Sequence, residues 1–206
     1  AVTGLMLVAA TSSWAGIAGT KHDFANDAWN NVGTNTDELC APCHTPHNAQ
    51  ATQLIPLWNH AATSTNGYQM YASTTLNGSI DVAPGGVSLA CLSCHDGAIA
   101  LNAYGANSTN NSGTKIGAVN AAALLGTDLR NDHPISITYS AADAGLFPKA
   151  TTASGLGGMI QDDLLFSGGT KVECASCHNP HGGVAGTKLL RKSNTTSALC
   201  TTCHDK

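Results

Sequence analysis

The sequence predicts a fold with little regular secondary structure, in which loops and short helices wrap around bound prosthetic groups. Large apolar side chains are scarce in the 206 residues, with only 3 Trp, 3 Phe and 4 Tyr. There are 22 Gly, and Ala, Thr, Ser and Asn fill much of the rest. Apart from Ala, these residues favour turns and irregular backbone. A five-residue motif that occurs four times includes all 8 cysteines, so bound groups could complete the core.

The repeated motif is C-x-x-C-H, the attachment signature of c-type haem. Its two thiols bond the two vinyl groups of one haem, and the histidine that follows becomes the proximal iron ligand. Four copies therefore predict four c-type haems with their iron, organised as a multihaem cytochrome c fold around a haem chain. The thioether cysteines are Cys40, Cys43, Cys91, Cys94, Cys174, Cys177, Cys200 and Cys203, and the proximal histidines are His44, His95, His178 and His204.

Three other uses of paired cysteines compete with haem attachment. Zinc binding, disulfide bonding in a secreted chain and a thioredoxin-like redox motif all use cysteine pairs. None of them requires a histidine directly after the second cysteine. With 9 His in 206 residues, four chance occurrences have a probability of roughly 4 × 10⁻⁶ if positions are independent. Haem is therefore the prediction.

The remaining histidines are candidates for the second axial ligands. Four irons need at most four more ligands, and five histidines are left over, so the sequence predicts bis-histidine haems rather than His/Met ligation by Met6, Met70 or Met159. It also predicts no open iron site, which argues against a multihaem reductase and favours an electron carrier. The candidates are His22, His47, His133, His181 and His60.

His47 and His181 share the context C-H-x-P-H, three residues after a proximal histidine. The two axial ligands of one iron approach from opposite faces of the macrocycle, whereas His44 and His47 lie roughly on the same side of a turn. His47 is therefore expected to reach a different haem, in the same chain or in a neighbouring one. The same reasoning applies to His181. His133 precedes Pro134, which holds it extended.

The order of the motifs indicates a single tetrahaem domain over residues 21–206, with two haem pairs (21–101 and 130–206) joined by a polar loop region. Residues 1–20 form an uncharged, partly apolar segment that is either the end of a secretion signal or a segment docked at an interface. Its apolar run is too short to span a membrane. A helix is expected from Ala118 to Leu129, and Gly/Ser loops at 154–158 and 167–169. Only 11% of residues are charged, with a net charge of -4, which excludes the basic surface of a nucleic-acid-binding protein.

Several stretches from residue 22 onward resemble the paired-CxxCH multihaem cytochromes of respiring microbes. They are His22–Phe24, Cys40–Ala49, Pro56–Asn59, Cys91–Gly97, His133–Pro134, Cys174–His181 and Cys200–His204. Four haems in this length resemble the subunits of extracellular cytochrome filaments. The resemblance implies that His22, His47, His133 and His181 are distal ligands, with His60 less favoured because the family often has another basic residue there. It also implies that a histidine of one subunit ligates a haem of the next.

The first hypothesis is an exported subunit of a conductive filament that serves anaerobic respiration. It carries electrons from redox partner cytochromes to extracellular acceptors, and His47 is the preferred inter-subunit ligand, with His22 the alternative. Its location would be extracellular or on the cell surface. The second hypothesis is a monomeric periplasmic shuttle that uses the same haems with intramolecular ligands only.

Overall fold

The computed structural model describes residues 16–25, 27–30, 38–50, 55–109, 111–140 and 142–205, so most of the apolar segment 1–20 lies outside the described residues. Loops connect short helices and a small sheet, which confirms the predicted fold class. The α-helices are α1 (Gly86–His95), α2 (Ile116–Val119), α3 (Ile160–Asp163), α4 (Cys174–Cys177) and α5 (Cys200–Cys203). Single 3-10 turns lie at Ala28–Asn30, Gly105–Asn107, Ala121–Ala123 and Thr195–Ser197.

Three of these helices coincide with copies of the cysteine motif. The longest, α1, ends on the histidine of the second copy, and α4 and α5 are the four-residue Cys-x-x-Cys segments of the third and fourth copies. The first copy forms one hydrogen-bonded turn, in which the His44 amide donates to the Cys40 carbonyl at 2.8 Å. Each copy is therefore a helical turn, as predicted.

The sheet consists of two short antiparallel strands, β1 (Ile137–Thr138) and β2 (Lys171–Val172), with Ile137 opposite Val172. A small apolar cluster adjoins it and contains Tyr139, Ile160, Leu165, Leu146, Phe147, Val172 and Cys203. Packing between elements brings α1 against α4, and so the second cysteine motif against the third. The predicted Gly/Ser loops at 154–158 and 167–169 are confirmed, since both segments consist of bends and turns.

The predicted helix from Ala118 to Leu129 is wrong. Helix α2 ends at Val119, and Asn120 is extended, with its side chain accepting a hydrogen bond from the Ala122 amide at 3.2 Å. An asparagine side chain that bonds nearby backbone competes with helix continuation. The segment folds back onto the second motif instead, where the Leu125 amide donates to the His95 carbonyl at 2.8 Å.

In the described part of the chain, no helix has the length and apolar character needed to cross a membrane.

Candidate haem sites

Three of the four proximal candidates are held by an isolated β-bridge just after their helical turn. His44 pairs with Trp58, His178 with Leu190 and His204 with Leu146. The backbone at His178 (φ −109°, ψ 142°) and His204 (φ −96°, ψ 126°) is extended, so the helix ends at the second cysteine. The histidine then leaves the turn in a fixed direction. His95 differs because it is the last residue of α1.

Backbone carbonyls accept hydrogen bonds from Nδ1 of three proximal candidates. His44 donates to Pro56 at 2.9 Å, His95 to Ala123 at 2.8 Å and His178 to Lys188 at 2.8 Å. A histidine that binds a metal commonly donates its other ring N–H to a carbonyl or carboxylate, which fixes its tautomer and orientation. This arrangement leaves Nε2 of each ring for an iron.

Three proximal candidates each lie close to the ring of a distal candidate from elsewhere in the sequence. The ring centres are 6.1 Å apart for His22 and His95, 5.9 Å for His44 and His181, and 6.3 Å for His133 and His204. Burial, together with the charge of nearby His95, lowers the pKa of His22 to about 4. Burial and the charge of nearby His44 lower the pKa of His181. Both rings are therefore neutral at pH 7, which is the form that binds a metal.

These separations fit a metal between the rings. An imidazole nitrogen binds a metal at about 2 Å, so two rings on opposite sides of one ion have centres about 6 Å apart. Two protein ligands suit haem, because the macrocycle supplies the other four. Among the described residues, no group of three or more His, Cys, Asp or Glu is placed to hold a metal ion by itself.

Apart from His60, the ligand candidates that take part in none of the ring contacts within the described residues are His178 and His47. Both are exposed on the surface of the chain. His47 lies in the loop after the first motif, where its carbonyl accepts a hydrogen bond from the Thr45 hydroxyl at 2.8 Å.

His60 has different surroundings from every other histidine. It is 1% exposed, and both of its ring nitrogens lie 3.0 Å from backbone carbonyl oxygens, Nδ1 from Ala61 and Nε2 from Ala100. Burial lowers the pKa of His60. A ring nitrogen held against a carbonyl is not free to bind iron, so the geometry favours a structural role for His60.

The thiols of each motif lie close in space to thiols of the next motif along the sequence. Cys43 is near enough to Cys91 and Cys94 to interact electrostatically, Cys91 hydrogen-bonds with Cys174, and Cys177 interacts with Cys200 and Cys203. None of the eight cysteines, all of which lie in the described residues, is joined to another by a disulfide. Burial raises the pKa of Cys43 and of Cys203 to about 11. The pKa of Cys174 is instead lowered, mainly by its hydrogen bond with Cys91.

The first and third motifs are built alike. The Thr45 amide donates to Leu57 at 2.8 Å, and the Asn179 amide donates to Leu189 at 2.7 Å. Both leucines have φ of 58°, which is the left-handed region. The residue two positions after each leucine makes two equivalent hydrogen bonds. The Asn59 amide donates to the Cys43 carbonyl at 2.9 Å and its side chain to the Ala41 carbonyl. The Arg191 amide donates to the Cys177 carbonyl at 2.9 Å and its side chain to the Ala175 carbonyl. The two motifs therefore have the same local structure, although the residues that follow each motif differ.

Two groups near the motifs were missed by the sequence interpretation. The indole N–H groups of Trp29 and Trp58 are buried and have no hydrogen-bond partner among the described residues. Trp58 lies edge-on to His44, with ring centres 6.2 Å apart. A buried donor of this kind suits an anionic group such as a haem propionate. The second group is Glu173, which is buried with Ser88 and Ser136. The sequence did offer a signal for this group, because a glutamate directly before Cys174 is unusual in a chain with few charged residues.

Comparison with known families gives a match at the C-terminal end of the sequence. Residues 168–206, which contain the third and fourth motifs, match a family described as a doubled CXXCH motif. The match supports a paired-CXXCH multihaem c-type cytochrome. The C-x-x-C-H motifs indicate covalently bound c-type haem with its iron, and they suggest a role in electron transfer. A comparison with curated proteins found no significant match.

Proposed function

We propose that the cytochrome carries four haems, each between two histidines, and conducts electrons as the subunit of an extracellular filament. The observation that supports this most is the uneven pairing of the histidines. Three proximal candidates have a distal partner about 6 Å away, whereas His178 and His47 are exposed and lack ring contacts in the described part of the chain. Two unpaired ligands on the surface of one copy can complete one site between two copies.

The proposed ligand pairs follow from these contacts. His44 and His181 hold the first haem, His95 and His22 the second, and His204 and His133 the fourth. The bound haem supplies an iron that alternates between the ferric and ferrous states. The chain orients the ligands, since the carbonyls of Pro56, Ala123 and Lys188 hold the rings of three proximal histidines. With both axial positions filled, the irons have no position for substrate, so we propose a carrier rather than a reductase.

The third haem is the proposed point of contact between copies. The first and third motifs are local equivalents, so the pair His44–His181 corresponds to the pair His178–His47. The first pair forms within the chain, with ring centres 5.9 Å apart. We place the second pair between copies, with His47 of one copy on the iron held by His178 of the next. Repetition of that contact produces an open polymer, as head-to-tail interfaces do when they do not close into a ring.

Close contact between successive motifs supports a continuous haem chain within each copy. The thiol neighbours run from Cys43 to Cys91 and Cys94, from Cys91 to Cys174, and from Cys177 to Cys200 and Cys203. Because each cysteine is bonded to the edge of its own haem, neighbouring thiols bring haem edges together. The order of the haems in space then follows their order in the sequence, and the joint lies between the third haem of one copy and the first motif of the next.

The proposed location is extracellular or at the cell surface, with redox partner cytochromes as electron donors and external acceptors at the far end. The periplasmic shuttle is the alternative, in which His47 and His178 close the third haem within one chain. Both functions use the same four haems, so they differ in assembly rather than in cofactor chemistry.

Negative-stain electron microscopy of the purified, haem-loaded cytochrome tests the proposal. We expect thin, regular filaments, because each copy offers one exposed donor histidine and one incomplete site. Discrete small particles across a series of salt concentrations and pH values would instead support the shuttle.

A further inference from the structure

A buried carboxylate lies beside two of the haem-attachment motifs. Glu173 is 2% exposed, and its carboxylate accepts hydrogen bonds from the hydroxyls of Ser88 and Ser136, which are both 0% exposed. The charged groups that face it are Lys171 and Asp81, and these two form a salt bridge with each other. In the described part of the chain, Glu173 itself forms no salt bridge.

The position of the carboxylate relative to the attachment points is fixed by short connections. Glu173 directly precedes Cys174, and Ser88 lies on α1 one turn before Cys91. The Ser88 hydroxyl accepts a hydrogen bond from the Cys174 amide at 2.9 Å, and the Cys91 and Cys174 thiols are hydrogen-bonded to each other. These two thiols become thioethers when haem is attached and then no longer titrate. Lys171 and Asp81 neutralise each other in a salt bridge, so the Glu173 carboxylate is a nearby group without a charged partner in the described part of the chain.

A structural role alone does not require an acid at this position. Glu173 caps α4, with its side chain bonded to the Ser176 amide while the Ser176 hydroxyl bonds the Glu173 amide. A neutral glutamine keeps one acceptor oxygen and can still cap a helix, so capping alone does not require a charge. Burial raises the pKa of Glu173, and the two serine hydroxyls offset part of that effect. The result is a buried acid whose charge responds to charge changes nearby.

We propose that Glu173 takes up a proton when an adjacent haem is reduced, so that the cytochrome couples proton binding to electron transfer. Reduction by a one-electron donor converts one ferric iron to ferrous and adds one negative charge. That charge disfavours the carboxylate in a buried site. One proton from solvent then converts the carboxylate to the carboxylic acid, and no other bond changes. This inference rests on the haem attachment in the proposed function.

The test compares the wild-type cytochrome with Glu173→Gln in spectroelectrochemical titrations over a series of pH values. The ionised carboxylate stabilises the ferric state, so the wild-type potentials of two haems should fall as pH rises through the titration of Glu173. The glutamine variant should lose that pH dependence and have higher potentials at the alkaline end. Asp128→Asn is the control, because hydrogen bonds from Arg130 lower the pKa of exposed Asp128 to about 2 and it stays ionised throughout. Its pH dependence should equal that of the wild type.

Ser136→Ala provides a second variant in which the acid remains. Loss of a hydroxyl that stabilises the carboxylate should move the pH-dependent range to higher pH without abolishing it. Infrared difference spectra should show a carboxylic acid band that appears on reduction in the wild type and is absent in Glu173→Gln. Unchanged pH dependence and an unchanged band in the glutamine variant would overturn the inference and assign the proton to another group. Haem content is measured first, since a chain without haem would overturn the proposed function as well.

Discussion

Replacing His47 with alanine should abolish filaments while each chain keeps its four haems. The substitution removes an exposed ring that makes no ring contact in the described part of the chain, so the three internal histidine pairs remain. The third haem then lacks its distal ligand, and carbon monoxide should bind to about one haem in four after reduction, because a five-coordinate iron has a free position. Electron microscopy and carbon monoxide difference spectra measure the two effects.

Asn48→Gly is the matched control for the His47 variant. Asn48 is the neighbouring exposed residue with φ of 57°, a conformation that glycine adopts without strain. This variant should form filaments of normal length. If the His47 variant also formed normal filaments and bound no carbon monoxide, His47 would not be the inter-subunit ligand.

Replacing His181 with alanine should open the first haem without preventing assembly. His181 is the partner of His44 within the chain, with ring centres 5.9 Å apart. Its loss should expose one iron in four to carbon monoxide, while the proposed joint between His47 and His178 stays intact. The two histidine variants should therefore bind similar amounts of carbon monoxide and differ in whether filaments form.

His60→Gln distinguishes a ligand from a structural histidine. Both nitrogens of His60 face backbone carbonyls, so its replacement should lower the thermal stability without opening an iron. A stable increase in carbon monoxide binding in this variant would contradict the assignment of His60. Carbon monoxide binding by the wild-type filament at one haem in four, the third haem of each copy, would contradict the proposed joint.

The sequence was most informative where the chemistry is local. C-x-x-C-H is a contiguous motif, so its four copies could be found from spacing alone, and the loop-rich fold could be predicted from composition. The helix expected from Ala118 to Leu129 was wrong because Asn120 caps a turn, and the segment folds onto His95 instead. That contact joins residues far apart in the chain, and it cannot be predicted from the composition of the segment.

The pairing of histidines could be narrowed from the sequence but not assigned. The C-H-x-P-H spacing indicated that His47 and His181 reach other haems, and the contact between His181 and His44 agrees with that reasoning. The partners of His22 and His133 depend on how distant segments pack. The environment of Glu173 depends on α1 packing against α4, which brings Ser88 to a residue 85 positions away.

Intact-mass spectrometry of the purified protein, expressed with haem-attachment machinery, tests the central claim most directly. Four covalently attached haems per chain should give the mass of the polypeptide plus four haems, with all eight cysteines resistant to thiol-modifying reagents. The bare polypeptide mass, with cysteines that react with such reagents or are paired as disulfides, would contradict the account. So would a reproducible count below four in protein from a host with complete haem-attachment machinery.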